Sequence, residues 1–450
     1  MKSISSPAVL TTLFLSGIPG AFADERTESI EKMQAQIEEL QRQLHMLQTQ
    51  MEAQQKGAKA AAPVTSDGVK ISFDGGPTIK SADGEYSMHI GGRVKFDATF
   101  FDDDRGDYAD GTEIRSARLH VKGKLGKNWS YKLQNEFLGK HDTSSDTTPA
   151  SYDSKLKSAY IAYEGFDHTK IIMGQTKQPF GLEYQTSSRF TTFLERASLT
   201  AFTPGYGIGL GVATHGDNWT LTGGLYGEDV ADSGDNDESY SVTARATYAP
   251  ISEKTRALHF GIAGSYRVPG SDSDYVKFKS TPEAHQAGND YAVYGSMKHV
   301  DDYSLFGLES AWVSGPFSLQ GEYMVADINR DSASDPTFDG YYVQASYFLT
   351  GESRNYLGKY GKFGRLTPQN PFSLGGGAGA WEVAARYSNL DLNDSSVNGG
   401  EMRNWTFGLN WYPTPYFRLM ANYILVDTDS HAVTPNDDPD IFAIRTQVDF

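Results

Sequence analysis

The sequence predicts an all-β fold, a 16-stranded antiparallel transmembrane β-barrel with an N-terminal α-helical coiled coil, and three observations predict it. Short segments of alternating polarity recur from residue 85 to the end, as strands with lipid on one side and a polar lumen on the other require. The last of them, Phe442-Ala443-Ile444-Arg445-Thr446-Gln447-Val448-Asp449-Phe450, alternates up to an aromatic carboxy-terminus. A heptad seam precedes the first of them.

Composition agrees with this class. The chain holds 46 Gly, 26 Tyr, 24 Phe and 6 Trp, which suits many short strands, tight turns and aromatic girdles. Beyond the amino-terminus no window offers the ~18 consecutive apolar residues of a spanning helix, and the mean hydropathy is -0.48, so a helical membrane protein is excluded. Cysteine is absent, so no disulfide staples the chain in an oxidising compartment. The net charge is -17, but basic and acidic residues are near balance over 86–200, whereas acids outnumber bases about two to one over 201–450. Any concentration of positive potential therefore belongs to the first third of the barrel.

Residues 1–23 read as a cleaved signal peptide, with Lys2 before an apolar run from Ala8 to Leu15 and small residues Ala21 and Ala23 around Phe22. Residues 24–56 follow as a periplasmic coiled coil. Its apolar positions, Ile30, Met33, Ile37, Leu40, Leu44, Leu47 and Met51, are spaced alternately by three and four, and such a seam is buried only by pairing. Residues 57–84 form a linker that opens on Gly57-Ala58-Lys59-Ala60-Ala61-Ala62-Pro63.

Residues 85–450 are the barrel. Sixteen strands are expected near 86–101, 112–125, 128–138, 154–165, 168–177, 206–216, 217–226, 239–249, 256–268, 304–314, 316–327, 338–350, 380–391, 401–412, 415–427 and 440–450. The gaps alternate short and long, as periplasmic turns and extracellular loops do, and 270–300 has room for a further hairpin. An even count lets the last strand pair with the first, leaving no open edge in lipid. Phe442, Ile444, Thr446, Val448 and Phe450 then form a lipid-facing row.

The second strand carries the clearest functional signal. Ala117, Leu119, Val121 and Leu125 alternate with Ser116, Arg118, His120, Lys122 and Lys124, so an apolar lipid face backs a cationic lumen face. In the first strand Ile90, Val94, Phe96, Ala98 and Phe100 alternate with His89, Arg93, Lys95 and Asp97. Lys and Arg rings in a narrow pore give anion selectivity. The alternative is that these charges pair with wall carboxylates such as Asp97 and Glu136. Gln178 to Tyr206 is too apolar and aromatic for an exposed loop, which suggests a segment folded into the barrel. Its Arg189 and Arg196 are balanced by Glu183 and Glu195.

A family resemblance rests on three stretches. They are Ile114-Arg115-Ser116-Ala117-Arg118-Leu119 with Gly123 and Trp129-Ser130-Tyr131, then Lys157-Ser158-Ala159-Tyr160-Ile161-Ala162-Tyr163-Glu164-Gly165-Phe166, and above all Gly174-Gln175-Thr176-Lys177-Gln178-Pro179-Phe180-Gly181-Leu182-Glu183 with Ser187-Ser188-Arg189 and Phe193-Leu194-Glu195-Arg196. Together they resemble the phosphate-selective porins O and P, densely over about 86–215 and at the level of strand pattern beyond. The resemblance implies a trimeric porin whose third extracellular loop folds inward and whose basic ladder passes phosphate or related oxyanions. It places Arg115 at the first of two adjacent constriction arginines and Lys177 at the loop-base lysine. The second arginine is Ser116 here, and Arg118 stands where the family often has an aromatic residue, so cationic character is kept but relocated.

The expected anion pathway is Arg93, Lys95, Arg115, Ser116, Arg118, Lys122, Lys124, Lys177, Ser188, Arg189 and Arg196. Arg offers an oxyanion a planar fork and Lys a point charge, while Ser116 and Ser188 add neutral donors. No enzyme is expected: there is no Gly-x-Ser-x-Gly elbow, no His-Glu-x-x-His and no cofactor or metal motif. Asp102-Asp103-Asp104 and Asp235-Asn236-Asp237-Glu238 lack calcium-loop spacing and read as solvated loops, bridged to lipopolysaccharide by divalent cations. Expected partners are small inorganic anions, outer-membrane lipid and lipopolysaccharide, two further copies of the chain in a homotrimer and, through the coiled coil, the cell wall; nucleic acid is not among them. The rival reading is a general or differently selective porin that tethers the envelope through its coiled coil.

Overall fold

A computed structural model describes residues 39, 42, 64–66, 68–102, 110–138, 154–230, 239–270, 275–287, 293–331, 333–394, 396–432 and 438–450. Glu39 and Arg42 are helical and exposed; the rest of the expected coiled coil and the signal peptide lie outside the described residues.

Sixteen strands form the wall: β1 (Ser87–Asp102), β2 (Gly111–Leu125), β3 (Trp129–Glu136), β4 (Lys155–Phe166), β5 (Thr169–Lys177), β6 (Tyr206–His215), β7 (Trp219–Tyr226), β8 (Tyr240–Ser252), β9 (Arg256–Val268), β10 (Val300–Ser314), β11 (Phe317–Arg330), β12 (Thr337–Phe348), β13 (Ala380–Asp394), β14 (Val397–Thr414), β15 (Phe417–Thr428) and β16 (Asp440–Asp449). Each is antiparallel to its neighbours, and β16 closes on β1 in a register running from Asp440↔Asp102 to Asp449↔Arg93. Every backbone edge of the wall is thereby paired, which a lipid environment demands. In β16, Phe442, Ile444, Val448 and Phe450 are exposed, while Ile441, Ala443, Arg445, Gln447 and Asp449 are buried. The buried row faces the lumen.

Within the expected linker, Val64–Ser66, Val69–Ser72 and Thr78–Ser81 are short strands that pair in succession, and the last pairs with the start of β1. The hairpin allowed for in 270–300 exists, as Val276–Ser280 paired with Val293–Met297, and it is a separate two-stranded sheet that does not join the ladder of the wall.

Two features depart from the sequence pattern. The lumen is not polar throughout: Phe180, Leu199 and Phe202 from residues 178–205, with Phe278, Val293 and Met297 of the hairpin, pack on in-facing Met324, Ile328, Phe338, Leu390, Ile424 and Ile441. Strands β11–β16 are apolar on both faces there because one face meets lipid and the other meets inserted chain. The second departure is the connection 349–379. It leaves the end that carries the short turns and the carboxy-terminus, the periplasmic end of an outer-membrane barrel, yet it is as long as an extracellular loop. Its middle turns into the lumen, where Gly361 O accepts from Arg245 of β8 at 2.7 Å and the Tyr356 hydroxyl meets His259 Nδ1 of β9 at 2.7 Å.

Candidate functional site

Residues 178–205 are seated on the inner faces of β10–β16 by a set of charged anchors. Gly181, at φ 64, turns the chain into a single helical turn, Leu182–Gln185. A side chain at Gly181 would strike Met324 and the Glu322 carboxylate, so the close approach requires glycine. The free N–H groups of Leu182 and Glu183 each donate to Glu322 at 2.7 Å, and Tyr342 O–H donates to the same carboxylate at 2.6 Å. Arg386 of β13 joins three elements: it pairs with Glu183 at 3.4 Å, donates to Glu195 O at 3.2 Å, and pairs with Glu283, which follows the first hairpin strand. Farther along, Arg418 donates to Thr191 O and Thr192 O, and Arg445 donates to Leu194 O.

The other edge of this segment faces β1–β6, where the sequence put its cations. A bulge interrupts the β1–β2 ladder: Lys95 opposes Ser116 and Phe96 opposes Ile114, leaving Arg115 as the extra residue. Strict alternation would point Arg115 at lipid; the bulge turns it and Ser116 into the lumen together. Arg115 Nε then donates to Glu195 Oε1 at 2.9 Å, and Arg445 pairs with the same oxygen at 2.6 Å. Burial alone would push the Glu195 carboxyl up, but Arg115, Arg445 and Lys95 hold it well below the usual carboxylate range. A second bulge, in β4 at Lys157, turns that residue inward beside Ser158, and its ammonium lies 5.5 Å from the Tyr206 ring centre.

The predicted residues divide by what they touch. Arg93 donates to Ser116 Oγ at 3.1 Å, Ser116 to Glu136 at 2.8 Å, and Arg118 to Glu136 at 2.9 Å, a closed and largely buried network. Lys95 is buried and held by Ser188, to whose O it donates at 2.7 Å. Arg189 reaches Asp449 at 3.5 Å. Lys177 donates to Tyr184 O at 2.7 Å with its charge 4.1 Å from that ring centre, and Arg196 caps the carbonyls of Glu183 and Thr186. Lys122 opposes Lys132 in register, and Lys124 stands apart at the exposed rim between Ser87 and Ser130.

Sequence reasoning passed over Lys132, Lys157 and Lys362. Alternation of Ser130, Lys132 and Gln134 could have found the first. The bulge hides Lys157 from any period-two pattern. Lys362 belongs to the connection 349–379 and carries no periodic signal, yet it lies within electrostatic range of Lys132 and Lys177. Burial and the nearby Arg245 push its ammonium down to about 8. Phe363 N donates to Thr186 Oγ1 at 3.3 Å, so this connection and residues 178–205 meet inside the lumen.

The wall is thus a closed 16-stranded antiparallel barrel into which chain folds from both ends. The family model for phosphate-selective porin O and P matches residues 88–450, and this chain belongs to that family. It is 31% identical over 434 residues to Porin O of Pseudomonas aeruginosa, covering 87% of this chain and 95% of that one. A Caulobacter vibrioides protein is 30% identical over 416 residues, covering 87% and 80% of the two chains. Among solved structures, an anion-selective porin from Comamonas acidovorans superposes with a TM-score of 0.52 at 12% identity, over 81% of this chain and 100% of that one. In vitro folded OmpT of Vibrio cholerae does so at 0.51 and 11% identity, over 87% and 100%. These two likenesses concern the fold alone.

Proposed function

We propose that the chain forms a passive, anion-selective diffusion channel for phosphate or related oxyanions, with residues 178–205 as the third loop that narrows it. The observation that carries the reading is a division of labour among the cations. Most described arginines of the lumen pair with carboxylates: Arg93 and Arg118 share Glu136, Arg115 and Arg445 share Glu195, Arg245 pairs with Glu309, and Arg386 pairs with Glu183 and Glu283, whereas Arg196, Arg267 and Arg354 donate to carbonyl, hydroxyl or amide oxygens. The guanidinium fork and its weak hydration suit such buried pairs. Lys132, Lys157, Lys177 and Lys362 contact carbonyls, amides or rings rather than carboxylates, and Lys122 faces Lys132 across the β2–β3 ladder, so no described carboxylate pairs with these five lysines.

Lys177, Arg196, Arg118, Arg115 and Arg189 surround the proposed track, Lys122 continues it and Lys124 marks its periplasmic exit. Arg93, Lys95, Ser116 and Ser188 stand behind as the supporting layer. Several weak contacts in series let an oxyanion enter and leave. The description of the family, phosphate-selective porin O and P, supports phosphate as cargo. Millimolar phosphate added to a reconstituted channel conducting chloride is expected to reduce the chloride current; an unchanged current contradicts the oxyanion assignment.

The mature chain is expected to begin after the signal peptide, to assemble as a trimer, to contact lipopolysaccharide with its outer loops, and to carry a periplasmic coiled coil over 24–56. The heptads of that segment favour a second role, tethering the envelope. Deleting residues 24–60 separates the two: envelope leakage with normal conductance supports tethering, and an intact envelope contradicts it.

A further inference from the structure

Residues 366–381, the last part of the long periplasmic connection and the start of β13, contain no charged residue in a chain that is 22% charged. Their tip is apolar and uncovered: Leu374 is 96% exposed and Phe372 is 45% exposed. The turn beneath is closed by its own hydrogen bonds, Ser373 N to Gly377 O at 3.2 Å, Gly376 N to Ser373 O at 3.3 Å and Gly379 N to Asn370 O at 2.9 Å, so it presents Leu374 as a fixed projection.

The projection is fastened to the outside of the barrel. Trp381 of β13 and Trp411 of β14 stack at 5.5 Å, in the same outward row as exposed Val383 and Leu409. Phe372 sets its edge on Trp411 at 5.3 Å, and both indole N–H groups donate to Ala378 O, at 3.3 Å from Trp381 and 2.9 Å from Trp411. The connection thus enters the lumen at residues 356–363, leaves it, and folds over the rim onto the lipid side. Tryptophans at this height form the girdle at the headgroup level, so Phe372 and Leu374 continue a lipid-contacting surface toward the periplasm.

We propose that residues 370–378 are a membrane foot, with Phe372 and Leu374 seated in the phospholipid of the periplasmic leaflet. Continuity with the tryptophan girdle and the absence of charge favour lipid over a protein partner, whose rim would be polar. Because the chain lacks cysteine, the test is direct. Leu374→Cys in the full chain, nitroxide-labelled and reconstituted in phosphatidylcholine vesicles, is expected to collide several-fold more often with oxygen than with a water-soluble nickel chelate. Asp217→Cys, on a short exposed turn, serves as the aqueous reference and is expected to show the opposite order. A Leu374 label that prefers the nickel chelate overturns the proposal. So does one shielded from both reagents, which would mean that protein covers the tip.

Discussion

Glu195→Gln perturbs the proposed track with the least change of shape. Its carboxylate is shared by Arg115 and Arg445, with Lys95 in electrostatic range, and Arg445 also holds Asp97 at 2.6 Å. These three cations and two carboxylates act as one group, so neutralising Glu195 adds a full positive unit while the amide oxygen still accepts from an arginine. For an ion about 7 Å away, a unit charge is worth about 0.6 kcal/mol in bulk water and about 2.4 kcal/mol at an effective dielectric constant of ~20. At about 1.4 kcal/mol per factor of ten, anion preference should rise at least about threefold. The assay is the zero-current potential across a planar bilayer under a potassium chloride gradient, with the melting midpoint as a folding control. A folded Glu195→Gln channel with unchanged or weaker anion preference refutes the placement of Glu195 beside the track. Because this carboxyl is depressed in the folded protein, the stability it contributes is complete above the ordinary carboxylate value. It is lost as pH falls through the lower, folded one.

Other outcomes follow from the same contacts. Arg118→Ala and Lys177→Ala should each lower anion preference, and reversal potentials unchanged in both would remove these residues from the track. Glu322→Ala strips one acceptor from Leu182 N, Glu183 N and Tyr342 O–H, each bond worth about 0.5–1.5 kcal/mol; larger and noisier single-channel currents are expected, and a quiet wild-type conductance would show that the loop holds without it. Lys362, lowered to about 8 by burial and Arg245, is charged at pH 7 and discharges as pH rises through that value. Anion preference should therefore weaken between pH 7 and 9, and Lys362→Met should reduce that change; a pH response undiminished by the substitution assigns it elsewhere.

The wall was legible because lipid imposes a period of two that turns interrupt. The expected strand at 206–216 is Tyr206–His215, and the expected row ending at Phe450 faces outward. The inward segment was legible from its excess of Phe and Leu, since Phe180, Phe193 and Leu199 have no exposure at all. What escaped has local causes. A bulge adds one residue and reverses the alternation beyond it, so Arg115 and Lys157 reach the lumen against the pattern. Met324, Ala326 and Ile328 face inward although apolar, because their partner is inserted chain rather than water. The roles of several arginines depend on carboxylates distant in sequence: Arg386 meets Glu183 and Glu283, and Arg445 meets Asp97. The lumenal turn of 349–379 rests on contacts such as Arg245 to Gly361, which no period announces.

In the proposed channel, lysines without carboxylate partners, with the arginines around them, make the barrel selective for anions. The zero-current potential of the reconstituted wild-type channel in graded potassium chloride tests it most directly. The predicted sign is that of chloride passing more readily than potassium; a potential of the opposite sign, with potassium passing more readily, would contradict it.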